Sequence, residues 1–127
     1  MQLFLLGQEI KEIEIGLIVD KKIVQSAKLT ASPEEYLQSL SKQLAKWEVS
    51  LDDLEGIFVV SGPGSFTASR VSIVIANTIA FTKKIPMFAV PNPKRLLLAE
   101  LYDSIDVTKI KEVESVLPHY DRPATIT

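Results

Sequence analysis

The sequence predicts an α/β fold: a mixed sheet, antiparallel meander first and parallel strands after, with helices on its faces. Three observations carry this. Before Ser32 the chain alternates or runs apolar with no helical period. After it, three helical patterns are separated by short apolar runs, and a Gly-Pro-Gly turn joins one run to the longest helix. Strands in succession followed by helix-separated strands imply antiparallel pairing first and parallel crossovers later.

Leu3–Leu6 is the first strand. Ile13 and Ile15 alternate with Glu12 and Glu14, the period of a half-buried strand that runs on through Val19. Asp20-Lys21-Lys22 turns the chain, and Ile23–Leu29 returns as a third strand. Ser32-Pro33-Glu34-Glu35 starts a helix: serine caps, proline suits the first helical position, and Glu35 completes a capping box. Tyr36, Leu37, Leu40, Leu44 and Trp47 then share one apolar face. Ile57–Val60 is a short buried strand, and Gly62, Pro63 and Gly64 end it. Ser65 is placed to cap a helix running from about Phe66 to Lys84. Pro86–Val90 is the next strand, Pro91-Asn-Pro93 starts a third helix reaching Tyr102, and a strand falls near Val113–Leu117. This order is the ribonuclease-H-like half-domain of the actin-like ATPase superfamily.

At 127 residues, one domain over 1–127 is expected, with 104–127 a short tail. Net charge is −2 and the isoelectric point about 5.4, so direct nucleic-acid binding is not expected. The absence of cysteine removes disulfides and thiol chemistry, and His119 alone forms no histidine cluster. Met1–Leu6 lacks the basic start of a leader, and polar residues interrupt the longest apolar helix. A cytoplasmic chain that enters no membrane is expected. A hydrophobic content of 46% with mean hydropathy +0.19 suggests apolar surface shared with another subunit.

The helix after the glycine turn is the interaction candidate. Ala68, Ser72, Ala76 and Ala80 recur every four residues with Ser69 beside them, a ridge of small side chains that lets another helix approach closely. This ridge is expected to be a subunit interface, with the bulky Val71, Val74, Ile75 and Phe81 mostly elsewhere; the alternative is that it is covered within the monomer, by the third helix for instance. Arg70 and Asn77 form the polar strip. Gly62-Pro63-Gly64-Ser65 could present backbone N–H groups to a phosphate, but it lacks the Lys-Ser/Thr ending of a P-loop and reads as a turn that aims the helix. Ser65 and Ser69 have no base placed beside them to make a nucleophile. Asp52, Asp53 and Glu55 read as a solvated loop, and Trp47 as a cover for the core.

The string Ser61-Gly-Pro-Gly-Ser-Phe-Thr-Ala-Ser-Arg70, the small-residue helix after it, and Ile85-Pro-Met-Phe-Ala-Val90 resemble the TsaB (YeaZ) family, tRNA threonylcarbamoyladenosine biosynthesis proteins. Ala68 and Ser69 stand where that family usually has Gly-Leu, and Pro118–Thr127 looks like its C-terminal Pro-x-Tyr-x-Arg segment. Three departures accompany the resemblance. Gly7-Gln8-Glu9 replaces an Asp-Thr-Ser phosphate turn, most of a second lobe is missing, and Pro91–Arg95 lacks the histidine pair of the catalytic relative TsaD.

The resemblance implies a non-catalytic scaffold, without cofactor or metal, for modification of the adenosine beside the tRNA anticodon. It implies docking to a TsaD-like subunit through the Ser65–Lys84 helix, a TsaE-like ATPase in the same complex, and a homodimer when alone. Gly62, Pro63, Gly64 and Ser65 would set the turn and cap, and Arg70 would anchor the turn or face the partner. Two alternatives stand: a small nucleotide- or phosphate-binding enzyme of the actin-like superfamily, or a self-assembling module unrelated to tRNA.

Overall fold

A computed structural model describes residues 1–62, 66–106, 109–110 and 112–114. One six-stranded mixed sheet organises them. Strands β1 (Gln2–Leu6), β2 (Glu12–Val19) and β3 (Lys22–Thr30) form the antiparallel meander. Strands β4 (Gly56–Gly62) and β5 (Met87–Pro91) add in parallel on the other side of β1. The two-residue β6 (Glu112–Val113) closes the sheet antiparallel to β5, giving the order β3-β2-β1-β4-β5-β6. Helices α1 (Tyr36–Lys46), α2 (Phe66–Lys83) and α3 (Leu98–Ser104) connect the later strands. This is the mixed, ribonuclease-H-like sheet that the element order predicts.

The alternation of side chains along the strands divides the core in two. Leu3 and Leu5 of β1, Ile13 and Ile15 of β2, and Ile57 and Val59 of β4 pack under α1 and α2. Phe4, Ile18, Phe58 and Val90 face the other way, under Leu98, Leu101 and Tyr102 of α3. Phe4, Phe58 and Phe88 stack in a row across β1, β4 and β5, with centroids 5.7 and 4.8 Å apart. Tyr102 meets Phe4 edge-on at 6.1 Å, so α3 is held by an aromatic layer. At β2, Gly16 has no side chain, and a Cβ there would lie 2.8 Å from Leu98 Cδ2; the glycine lets α3 approach the sheet. Among the described residues, no helix is long and apolar enough to cross a membrane.

The helix starts differ in instructive ways. Pro33–Glu35 forms a tight 3-10 turn before α1, and the Glu35 carboxylate accepts from the Ser32 N–H at 3.0 Å as the capping box requires. That bond and the Ser32 hydroxyl hold the Glu35 carboxyl below its ordinary range. Tyr36, Leu40 and Leu44 are buried as predicted, and Trp47 packs partly buried against the same core, but Leu37 turns outward. The third helix does not begin after Pro93. The Asn92 side chain accepts from Leu96 N–H at 3.0 Å and donates to the Leu96 carbonyl at 2.9 Å, and Arg95 takes a left-handed φ of 50°. This loop delays the helix to Leu98. Of the strand expected over Val113–Leu117, Val113 lies in β6, and 115–117 fall outside the described residues.

Candidate functional site

Helix α2 follows β4 through the glycine turn, of which Gly62 pairs with Pro91 of β5 while Pro63, Gly64 and Ser65 lie outside the described residues. Its small-residue ridge points inward, which corrects the expected interface. Ala68, Ser72, Ala76 and Ala80 are fully buried, and Ser69 nearly so. The three alanines belong to the cluster that contains Leu3, Leu5, Ile57 and Val59. The physical reason is volume: the central strands already supply bulky aliphatic side chains, so a helix lying close on them needs small ones. The Ser72 hydroxyl is satisfied within the helix, donating to the Ala68 carbonyl at 2.9 Å. Ser69 Oγ is buried with no hydrogen-bond partner among the described residues.

The bulky side chains that the sheet does not need lie on the outer face. Val74 is 39% exposed and Phe81 44%, with Arg70 and Thr78 exposed along the same side. On the neighbouring helix Leu37 is 58% exposed. Between the two helices Leu37, Leu40, Leu44, Ala45, Val49 and Ile79 line an apolar groove of about 190 Å³. Lys83 reaches Asp52 at 2.6 Å and fixes the far end of α2 to the loop before β4. Asp53 accepts from Ser50 N–H at 2.9 Å, so the acids read as a solvated loop are exposed there, and two of them also cap and tether it.

The crevice beyond the carboxyl ends of β1, β4 and β5 is where open α/β sheets place ligands. Among the described residues, groups of the protein itself meet there. A Cβ on Gly7 would overlap the Ser72 hydroxyl and come within 3.2 Å of the Tyr36 ring, so β1 runs directly into α1 and α2. The Tyr36 hydroxyl donates to the carbonyls of Glu9 and Glu12 at 2.8 and 2.9 Å; burial, with the charges of Glu12 and Glu9, raises its pKa above the ordinary 10.0. Gln8 and Asn92, both buried, exchange hydrogen bonds: Asn92 Nδ2 donates to Gln8 Oε1, and Gln8 Nε2 donates to the Asn92 carbonyl at 3.1 Å. Glu9 and Arg95 form an ion pair over them. In place of a phosphate turn stands a paired amide lock.

The family model described as TsaD, tRNA N6-adenosine threonylcarbamoyltransferase, matches residues 30–108, a span that holds α1, β4, α2 and β5. The chain belongs to the TsaD family. A curated relative, the tRNA threonylcarbamoyladenosine biosynthesis protein TsaB of Buchnera aphidicola subsp. Schizaphis graminum (strain Sg), is 32% identical over 76 residues, covering 58% of this chain and 36% of the relative. The solved structure of YeaZ from Pseudomonas aeruginosa superposes with a TM-score of 0.62 at 22% identity, over 72% of this chain and 43% of that one. The chain therefore spans less than half the length of the relatives it matches.

Within this TsaD-family fold, the predicted site residues divide. Ala68, Ser69, Ser72, Ala76 and Ala80 come together, but as core. Gly62 ends β4, and Arg70 is exposed at the head of α2. Sequence reasoning missed the apolar groove and the amide lock. Leu37 was available as a leucine out of phase with the 36-40-44 stripe, and Val74 with Phe81 as a bulky pair two turns apart. Gln8 and Asn92 lie 84 residues apart and carry no local signal.

Proposed function

We propose that this chain is a TsaB-like, non-catalytic subunit in threonylcarbamoyladenosine modification of tRNA, and that it docks a TsaD-like subunit through the outer faces of α1 and α2. The observation that carries the reading is the apolar groove between those helices, rimmed by Leu37, together with Val74 and Phe81 exposed on α2, all on the segment that matches the TsaD family. Large apolar side chains in solvent beside a groove mark a protein-binding face. A partner of the same fold would present a comparable pair of helices, so helix packing on helix completes both surfaces. The resemblance to TsaB supports the choice of occupant. The non-catalytic role is supported by the strand-end contacts, where the buried Gln8 and Asn92 side chains bond each other.

Size-exclusion chromatography with light scattering, run on the chain with and without a TsaD-like subunit of the same source, tests this. A one-to-one complex is expected, and Leu37→Glu or Phe81→Glu should weaken it at least tenfold, about 1.4 kcal/mol. Both residues are exposed, so thermal stability should move by no more than about 0.5 kcal/mol. Failure to form the complex, or full affinity in both variants, would overturn the reading.

A further inference from the structure

On the side of α1 opposite the apolar groove, a second groove of about 240 Å³ runs between the helix and the end of β3, lined by Leu29, Thr30, Ser39, Lys42, Gln43 and Lys46. Except for Leu29, every lining side chain carries a hydrogen-bond donor. Ser39, Lys42, Gln43 and Lys46 fall at helical spacing, so two turns of α1, about 10 Å, present one continuous row. Among the described residues these side chains and Thr30 have no hydrogen-bond or ion-pair partner.

Three nearby acids are committed elsewhere, and Glu48, two residues beyond Lys46, is exposed. Glu35, the one that feels the Lys42 charge, is turned back onto the Ser32 N–H and hydroxyl. Glu12 pairs with Lys28 at 3.3 Å, and with Glu14 it alternates onto the face of β2 opposite Ile13 and Ile15, away from α1. Helix α1 contains no acidic residue.

We infer that this groove binds a phosphate group, with Lys42 and Lys46 neutralising its charge and Ser39 and Gln43 donating to its oxygens. Ammonium groups bind phosphate as point charges, and the hydroxyl and amide donors fix its place in the groove. The phosphate belongs either to a small phosphate ester or to an RNA backbone. The inference does not rest on docking to a TsaD-like subunit, because the two grooves lie on opposite sides of α1.

Isotope-labelled chain titrated with inorganic phosphate, and separately with a short oligouridylate, tests it by amide chemical shifts. Saturable shifts confined to Thr30 and the 39–46 row are expected. The double variant Lys42→Gln, Lys46→Gln should bind at least tenfold more weakly. Ser39→Ala, at a partly buried position of α1, should lose several-fold. Both lysines are exposed and glutamine is a comparable helix former, so the fold is kept.

If the oligonucleotide binds more tightly than phosphate, and its salt slope falls by about 1.4 in the double variant, the ligand is an RNA backbone. If it binds no more tightly, the ligand is a small phosphate ester. Absence of saturable shifts with either probe, wild-type binding by the double variant, or identical shifts with chloride at equal ionic strength would overturn the inference.

Discussion

Replacing Ala76 by leucine separates the two possible orientations of α2. Ala76 is fully buried among Leu3, Leu5, Ile57 and Val59, where interiors are packed too densely to admit extra atoms freely. Leucine adds three carbons that the sheet on one side and the helix backbone on the other cannot both accommodate. Overpacking of this kind costs about 1–3 kcal/mol. For a chain of this size each kcal/mol moves the midpoint by about 3–5 °C, so thermal unfolding followed by circular dichroism should show a fall of about 3–15 °C. Were the ridge on the outside, leucine and alanine would differ by a few tenths of a kcal/mol, since both are strong helix formers. An unchanged midpoint, or a change of oligomeric state with no loss of stability, would refute the inward packing.

Two further outcomes follow from the strand-end crevice and from β2. Asn92→Ala removes the amide that bonds both Gln8 and Leu96, leaves Gln8 Oε1 buried without that donor, and should cost about 1–3 kcal/mol in denaturant unfolding; a loss below about 0.5 kcal/mol would contradict the lock. Glu14 sits half-buried on β2, where it accepts from Leu98 N–H at 3.3 Å. Burial raises its pKa above the ordinary 4.5 and outweighs the lowering by that N–H and by Lys28; the charges of Glu12 and Glu100 add to the rise. A raised folded-state pKa contributes stability that is complete below the unfolded value and is lost as pH rises through the folded one. Glu14→Gln should therefore gain on the wild type between about pH 4 and neutrality, and parallel stability–pH curves would contradict that.

Much of the fold was legible because its signals are local. The Glu12–Ile15 alternation located β2, and the apolar runs at Leu3 and Ile57 marked the central parallel pair. The capping residues Ser32 and Glu35 located the approach to α1, although the first turn is 3-10 rather than α. Helix α3 was misplaced because a proline after Asn92 looks like a helix start, whereas the Asn92 side chain takes over the backbone of Leu96 and builds a loop. The α2 ridge shows a deeper ambiguity. A row of small residues every fourth position permits close approach of any neighbour, helix or sheet, and a helix apolar on nearly every side does not say which face is which. The bulk of β1 and β4 decides it, and that bulk becomes a constraint only once the strands are placed beneath the helix. The Gln8–Asn92 pair is a contact of tertiary structure alone.

The chain contains no cysteine, so single-cysteine variants report cleanly on which face of α2 is covered and by what. Thiol labelling of Val74→Cys and Ala76→Cys, each alone and with the TsaD-like subunit, is the most direct test. Cysteine at position 74 should react rapidly in the free chain and become protected in the complex, while cysteine at 76 stays at least a hundredfold slower in both, reacting only when the chain opens. Rapid labelling at 76 in the free chain, or a position 74 that the partner leaves as reactive as before, would contradict the account.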